Sequence, residues 1–257
     1  MHSYIKPVPE GEFSTLCEEL KEYSSIKPEY FDRFDVKRGL RNRDGSGVMA
    51  GLIKVCSVEG YHIEDGERKP VEGKLIYRGI NINDIVDGCI KDNRFGFEET
   101  AWLLLFGHLP TQEQLDRFNT ILGDCRELPE DFIEDMIMKA PSPNIMNKLE
   151  RSVLSLYSYD SNPDDISIEN VLRQSVQLIA QLPTIMTYAY QVKRRYYLKK
   201  SMYLHPVKPE LSTAETILYN TRSNRKFTDE EAKLLDICMI LHAEHGGGNN
   251  SAFATRV

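Results

Sequence analysis

From about residue 83 onward, apolar residues recur every three or four positions, the spacing that places them on one face of an α-helix. This pattern predicts roughly seven to nine helices in close succession. Thr111, Ser212 and Thr228 each stand three residues before a Gln or Glu, which is the capping-box pattern of a helix N-terminus. Helices that follow one another so closely favour antiparallel packing around a shared core.

Two of the predicted helices have unusual features. The segment 97–106 is apolar on nearly all sides, which predicts a fully buried helix. A longer helical pattern runs from Ile168 to about Lys200 and contains Pro183. Because proline lacks an N–H group and its ring crowds the preceding turn, we expect it to kink or split that helix.

Residues 51–80 form the one convincing β region of the sequence. Residues 52–58 are apolar and β-branched, Asp65-Gly66 is a tight-turn signal, and residues 74–78 alternate as a returning strand. The sequence therefore predicts a mainly α fold with a small N-terminal β-hairpin or meander. The charged, irregular residues 1–50 are expected to form an N-terminal arm.

The charge, apolar content and cysteines of the chain argue against several classes of protein. The chain has 257 residues with 32 Lys+Arg and 39 Asp+Glu, a net charge of −7, which argues against nucleic-acid and anionic-membrane surfaces. No apolar stretch approaches the roughly 20 residues of a membrane span, and the first residues have no signal-peptide core. The five separated cysteines, without a CxxC pair, indicate buried reduced thiols rather than a disulfide framework. We therefore expect a cytoplasmic protein with no nucleic-acid or membrane partner.

The most informative segment is residues 242–251, with the sequence HAEHGGGNNS. Its two histidines do not have the HExxH spacing of a zinc site, and its glycines lack the Lys-Ser/Thr of a phosphate loop. Two interpretations remain open from the pattern alone. The first is a helix ended by glycines, with His242 packed and His245 capping or exposed. The second is a site for a small carboxylate, formed by backbone N–H groups, Asn amides and a histidine.

This segment resembles the active-site loop of citrate synthases. Further segments of the chain, from about residue 37 to its end, are similar to the same family. They are GLIKV at 51–55, LIYRGI at 75–80, FEETAWLLLFGHLP at 97–110, NVLRQS at 170–175 and PTIM at 183–186.

The resemblance implies a nearly all-α fold with a large and a small domain, a homodimer, and condensation of acetyl-CoA with oxaloacetate and water to citrate and CoA. It implies no metal and no tightly bound cofactor. His245 matches the loop histidine that contacts oxaloacetate, and Asn249 matches a polar residue beside that substrate. Ser251 matches the serine that orients the enolising histidine, by fixing which ring nitrogen carries the proton. His242 is expected to pack rather than bind.

Other parts of the family pattern have no counterpart in these residues. They are the Gly-Pro-x-His-Gly-Gly segment with the enolising histidine, the second catalytic histidine, the aspartate base, the carboxylate-binding arginines and the small domain. Residues 51–257 thus resemble an incomplete large helical domain without the small domain and C-terminal helices. We expect this truncated chain to be inactive alone. The alternatives are a 2-methylcitrate synthase, which uses propionyl-CoA, and a non-catalytic scaffold or binding protein derived from this fold.

Overall fold

The computed structural model describes Glu18, residues 27–33 and residues 53–246. The chain divides into two compact units, one of Met1–Leu52 with Asn250–Val257 and one of Ile53–Asn249. In the first unit, helix α1 (Pro28–Arg33) is the element described. The predicted arm at residues 1–50 therefore lies mostly outside the described residues, and its extent stays a prediction.

The second unit begins with a three-stranded antiparallel meander in the order β1-β2-β3. Its strands are β1 (Cys56–Glu64), β2 (Glu67–Tyr77) and β3 (Ile80–Asn81). The turn between β1 and β2 places Asp65 at φ 53° and Gly66 at φ 81°, a left-handed pair that Asp-Gly adopts readily. The predicted β region is confirmed, but its strand bounds are corrected: β1 begins at Cys56 rather than near residue 52 and ends at Glu64, and β2 begins at Glu67 rather than at 74.

Helices make up most of the remaining described chain, which confirms the mainly α fold. They are α2 (Ile82–Lys91), α3 (Phe97–Phe106), α4 (Gln112–Asp124), α5 (Ile145–Leu156), α6 (Ile168–Tyr196), α7 (Thr213–Thr221) and α8 (Asp229–Leu241). A π-helical turn (Ile133–Met138) precedes α5, and a 3₁₀ turn (Tyr157–Tyr159) follows it. Within residues 27–33 and 53–246, no helix combines the length and apolar character needed to cross a bilayer.

The three predicted capping boxes are confirmed. In each, the N-cap hydroxyl accepts a hydrogen bond from the backbone three residues later, and that residue's side chain accepts one from the N-cap N–H. The N-cap residues are Thr111 of α4, Ser212 of α7 and Thr228 of α8. Because this motif is local in sequence, it is visible before any tertiary contact is known.

Two expectations about the helices are corrected. α6 runs through Pro183 without a break, so the predicted split is wrong. The residues that follow the proline, Thr184 and Ile185, are fully buried, and this packing holds the helix together across the missing N–H group. The predicted full burial of α3 is also wrong, because Phe106 at its C-terminal end is 39% exposed although Leu103 is buried.

Three apolar clusters form the core of residues 53–246. One surrounds α6 and another joins α3, α4 and α6. The third links the meander, α2, α3 and α8, and its buried residues are Tyr77, Ile82, Ile85, Cys89, Leu103 and Ile240. This third cluster lies directly beneath the C-terminal end of α8 and therefore supports the segment singled out in the sequence.

Four cysteines fall within the described residues, and all four are free thiols. Cys89 is buried, Cys56 and Cys125 are half-buried, and Cys238 is exposed. The expectation of reduced thiols agrees with this arrangement, whereas the expectation of burial is wrong for Cys238, which lies on the outer face of α8. Cys17 lies outside the described residues.

A buried carboxylate joins α8 to the start of α3. Asp236 is 1% exposed, and its two oxygens accept hydrogen bonds from the N–H groups of Gly96 (2.7 Å) and Phe97 (3.2 Å). Gly96 is the N-cap of α3 and has no side chain to cap the helix itself. Burial raises the pKa of Asp236 to about 6, against the opposing effect of these two hydrogen bonds.

Asp236 should make the stability of the protein depend on pH. Because its pKa is higher in the folded state than in the unfolded state, the free energy of unfolding should fall as pH rises from about 4 to about 6, by about 3 kcal/mol. Asp236→Asn removes the titrating group. The difference in the free energy of unfolding between wild type and this variant should therefore change across that pH range. Urea denaturation from pH 4 to pH 7.5 measures it, with the exposed Asp87→Asn as control. Parallel pH profiles for wild type and Asp236→Asn contradict the assignment.

Candidate functional site

The segment predicted to carry chemistry begins where α8 ends. His242 is the C-cap of α8, with φ −106° and ψ 6°, and its N–H group donates to Met239 O at 3.2 Å. The ring Nδ1 lies 2.7 Å from Cys238 O, so the proton resides on Nδ1 and the imidazole donates to the last turn of the helix. His242 is exposed. The expectation that it packs is therefore wrong, because its ring is held against the helix carbonyls rather than in the core.

The hydroxyl of Tyr77 holds the end of α8 and the following loop together. Tyr77 is the last residue of β2 and is completely buried. Its hydroxyl donates to Ile240 O at 2.9 Å and accepts from the Glu244 N–H at 3.3 Å. One side chain thereby bonds the last turn of α8 and the loop residue four positions later, across 163 residues of sequence.

Glu244 then folds the loop onto itself. Its Oε1 accepts hydrogen bonds from the N–H groups of His245 (3.0 Å) and Gly246 (2.7 Å). Gly246 has φ +78°, a left-handed conformation that favours glycine. The backbone of His245 is thus fixed on both sides, while the residue itself is exposed. An exposed imidazole on a fixed backbone is suited to recognising a ligand.

The residues after Tyr77 tie the same region to α3. Arg78 adopts φ 48° and Gly79 φ 89°, which turns the chain sharply between β2 and β3. The Arg78 guanidinium donates through Nε (3.0 Å) and Nη2 (2.6 Å) to Leu104 O, near the C-terminal end of α3. A cation at this position stabilises the carbonyls of the last helical turn. The Tyr-Arg-Gly segment therefore anchors α8 on one side and α3 on the other.

The thiol and phenol groups around the loop stay in their neutral forms. Burial raises the pKa of the Tyr77 hydroxyl, so it remains a hydrogen-bond donor at neutral pH. Burial, with a smaller contribution from the charge of Glu244, raises the pKa of the Cys56 thiol. A neutral thiol is a poor nucleophile, which removes Cys56 from consideration as a reactive group.

Of the three predicted site residues, the structure describes His245 and places it at the end of α8. Asn249 and Ser251 lie outside the described residues. Sequence analysis missed the positioning residues Tyr77 and Asp236. The signal for Tyr77 was present in the LIYRGI segment, whereas no local pattern marks Asp236 as a long-range cap. Across residues 27–33 and 53–246, no three His, Cys, Asp or Glu side chains come together as a metal site.

Comparisons with known proteins show which proteins the sequence of this chain is similar to. A family model described as "Citrate synthase, C-terminal domain" matches residues 44–257. The citrate synthase of Saccharolobus solfataricus is 29% identical over 199 residues, which cover 77% of this chain and 47% of that protein. The 2-methylcitrate synthase 1 of Corynebacterium glutamicum is 29% identical over 223 residues, which cover 86% of this chain and 52% of that protein. The chain thus spans about half the length of the curated relatives it matches.

A solved structure supports the fold. The crystal structure of citrate synthase from Pyrobaculum aerophilum matches with a TM-score of 0.64 at 22% identity, covering 82% of this chain and 50% of that one. Similarity at this level of identity establishes a shared fold. It agrees with the mainly α architecture described above.

Tyr77→Phe tests whether the hydroxyl holds the loop. Removing it leaves the buried Ile240 carbonyl and the Glu244 N–H without this partner, so the free energy of unfolding should fall by about 1–3 kcal/mol. Tyr61→Phe removes a hydroxyl from a tyrosine that is 50% exposed and should change stability by less than about 0.5 kcal/mol. Urea denaturation of both variants measures the difference. Equal effects of the two substitutions contradict the anchoring role.

Proposed function

The chain belongs to the citrate synthase family, a family of acyltransferases, and from this premise we propose that it supplies the oxaloacetate-binding loop of a citrate synthase. The proposed reaction joins acetyl-CoA, oxaloacetate and water to give citrate and CoA. One observation carries the proposal. His245 is exposed on a backbone that Tyr77 and Glu244 hold at the end of a buried helix, within the family-type segment 242–251.

The proposed roles follow from the chemistry of a dianionic keto acid. The imidazole of His245 donates a hydrogen bond to oxaloacetate, which a cationic or neutral ring can do. Asn249 adds a polar contact beside the same substrate. Ser251 acts by orienting the enolising histidine of the family, which has no counterpart in these residues. The assignments of Asn249 and Ser251 rest on their places in the family-type segment.

A 2-methylcitrate synthase is the second candidate, because the relatives of similar identity include 2-methylcitrate synthase 1 of Corynebacterium glutamicum. It differs in taking propionyl-CoA in place of acetyl-CoA. A non-catalytic binding protein on this scaffold is the third alternative. In each case we propose a cytoplasmic homodimer. Exposed apolar residues such as Leu154 (75%), Ile166 (89%) and Ile168 (89%) agree with self-association.

Substituting His245 tests the substrate contact. His245→Ala removes the donor and should weaken oxaloacetate binding at least tenfold, because a hydrogen bond to a charged ligand contributes about 1.5–3 kcal/mol. His242→Ala is the matched control on the same helix end and should leave binding unchanged. Calorimetric titration with millimolar oxaloacetate measures both. Equal affinities for the two variants, or no binding by the wild type, contradict the assignment.

A thiol-release assay tests the reaction. With acetyl-CoA and oxaloacetate, these 257 residues alone should release no CoA, because they hold no counterpart of the family's enolising histidine and aspartate base. The same assay with propionyl-CoA distinguishes the two acyl donors if release occurs. Oxaloacetate-dependent release of CoA contradicts the expected inactivity and places the acid and base among these residues.

A further inference from the structure

A cavity lies away from the His245 loop, between α3, α4 and the segment that leads into α7. Its volume is about 340 Å³, within the range of small-molecule sites. The charged residues that line it are Glu98, Glu99, Arg126, Glu210 and Glu215. Neither the family resemblance nor the proposed reaction assigns a role to this cavity.

One edge of the Arg126 guanidinium has no hydrogen-bond partner among the described residues. The residue is 2% exposed and lines the cavity. Its Nη1 donates to three carbonyls, those of Lys208 (3.2 Å), Pro209 (3.3 Å) and Leu211. Nε and Nη2 form no hydrogen bond with any described residue. These two nitrogens form the side-on fork of arginine, which matches the two oxygens of a carboxylate.

Glu98 places a buried negative charge on the same cavity. It is 5% exposed, and its Oε1 accepts a hydrogen bond from the Thr213 N–H at 2.7 Å. Its Oε2 accepts none from the described residues, and no ion pair within 4 Å joins Glu98 to Arg126. Two buried opposite charges therefore line one cavity without direct contact, an arrangement that is costly unless a polar ligand or water lies between them.

The other lining carboxylates already have partners. Glu99 is paired with Arg94, Glu210 lies 3.3 Å from Lys208, and Glu215 caps α7 through the Ser212 N–H at 2.8 Å. Glu98 differs from these three in being buried, so the buried hydrogen-bonding atoms of the charged lining that lack a partner among the described residues are its Oε2 and Nε and Nη2 of Arg126.

From this geometry we propose that the cavity binds a free α-amino acid. Its carboxylate accepts from Nε and Nη2 of Arg126, and its ammonium donates to Oε2 of Glu98. A simple anion is disfavoured because four glutamates line the cavity, and a simple cation leaves the Arg126 fork without an acceptor. A zwitterion satisfies both buried charges at once. This site is independent of the oxaloacetate-binding loop.

Calorimetric titration of the chain with glycine, L-alanine and L-leucine tests the proposal. Acetate and methylamine serve as the matched fragments that carry one of the two charges each. At least one amino acid should bind at least tenfold more tightly than either fragment, because both contacts form in one ligand. Binding of all three amino acids no tighter than that of acetate overturns the proposal and indicates a water-filled cavity or a general anion site.

Two variants locate the binding. Glu98→Gln keeps an oxygen for the Thr213 N–H but removes the negative charge, and it should weaken amino-acid binding at least tenfold. Asn119→Phe, at an exposed position on the cavity lining, should block binding without altering the buried charges. Glu113→Gln, exposed on the same helix as Asn119 and not part of the lining, is the control and should bind as wild type. Far-UV circular dichroism verifies folding. Wild-type affinity in a folded Asn119→Phe variant overturns the assigned position.

Discussion

The hydroxyl of Tyr77 is the contact on which the candidate site depends. It bonds the last turn of α8 through Ile240 and the loop through Glu244, and it is completely buried while doing so. A buried hydroxyl with two partners is costly to disrupt, because each partner would lose its hydrogen bond away from water. The position of His245 is therefore set by the core beneath it, before any ligand is present.

Side chains from α8 and from the meander bond the two ends of α3 and so tie this helix to the same region. Asp236 of α8 bonds the first N–H groups of α3, and Arg78 of the meander bonds a carbonyl near its other end. The meander, α3 and α8 are thus joined in a closed set of polar contacts around one apolar cluster. An exposed loop gains a defined conformation from such a base, which reduces the ordering cost when a ligand binds.

Features that depend on residues close together in the sequence were predictable from the sequence. The Asp65-Gly66 turn and the three capping boxes appear where their local patterns place them. The contact between Tyr77 and Ile240 was not predictable, because it joins residues 163 positions apart and follows from tertiary packing. Pro183 shows the same limit, since burial of its neighbours overrides the local tendency to break α6. The role of His245 was predicted from resemblance to a family, because the spacing of apolar and polar residues does not identify a substrate contact.

Amide hydrogen exchange of the native protein tests most directly whether the core holds the loop in place. The N–H groups of Glu244, His245 and Gly246 each donate to a side-chain oxygen, of Tyr77 or of Glu244 itself. If the loop is fixed in the absence of substrate, these amides should exchange as slowly as those in the last turn of α8. Exchange at the rate of an unstructured peptide, alongside a protected α8, contradicts the claim.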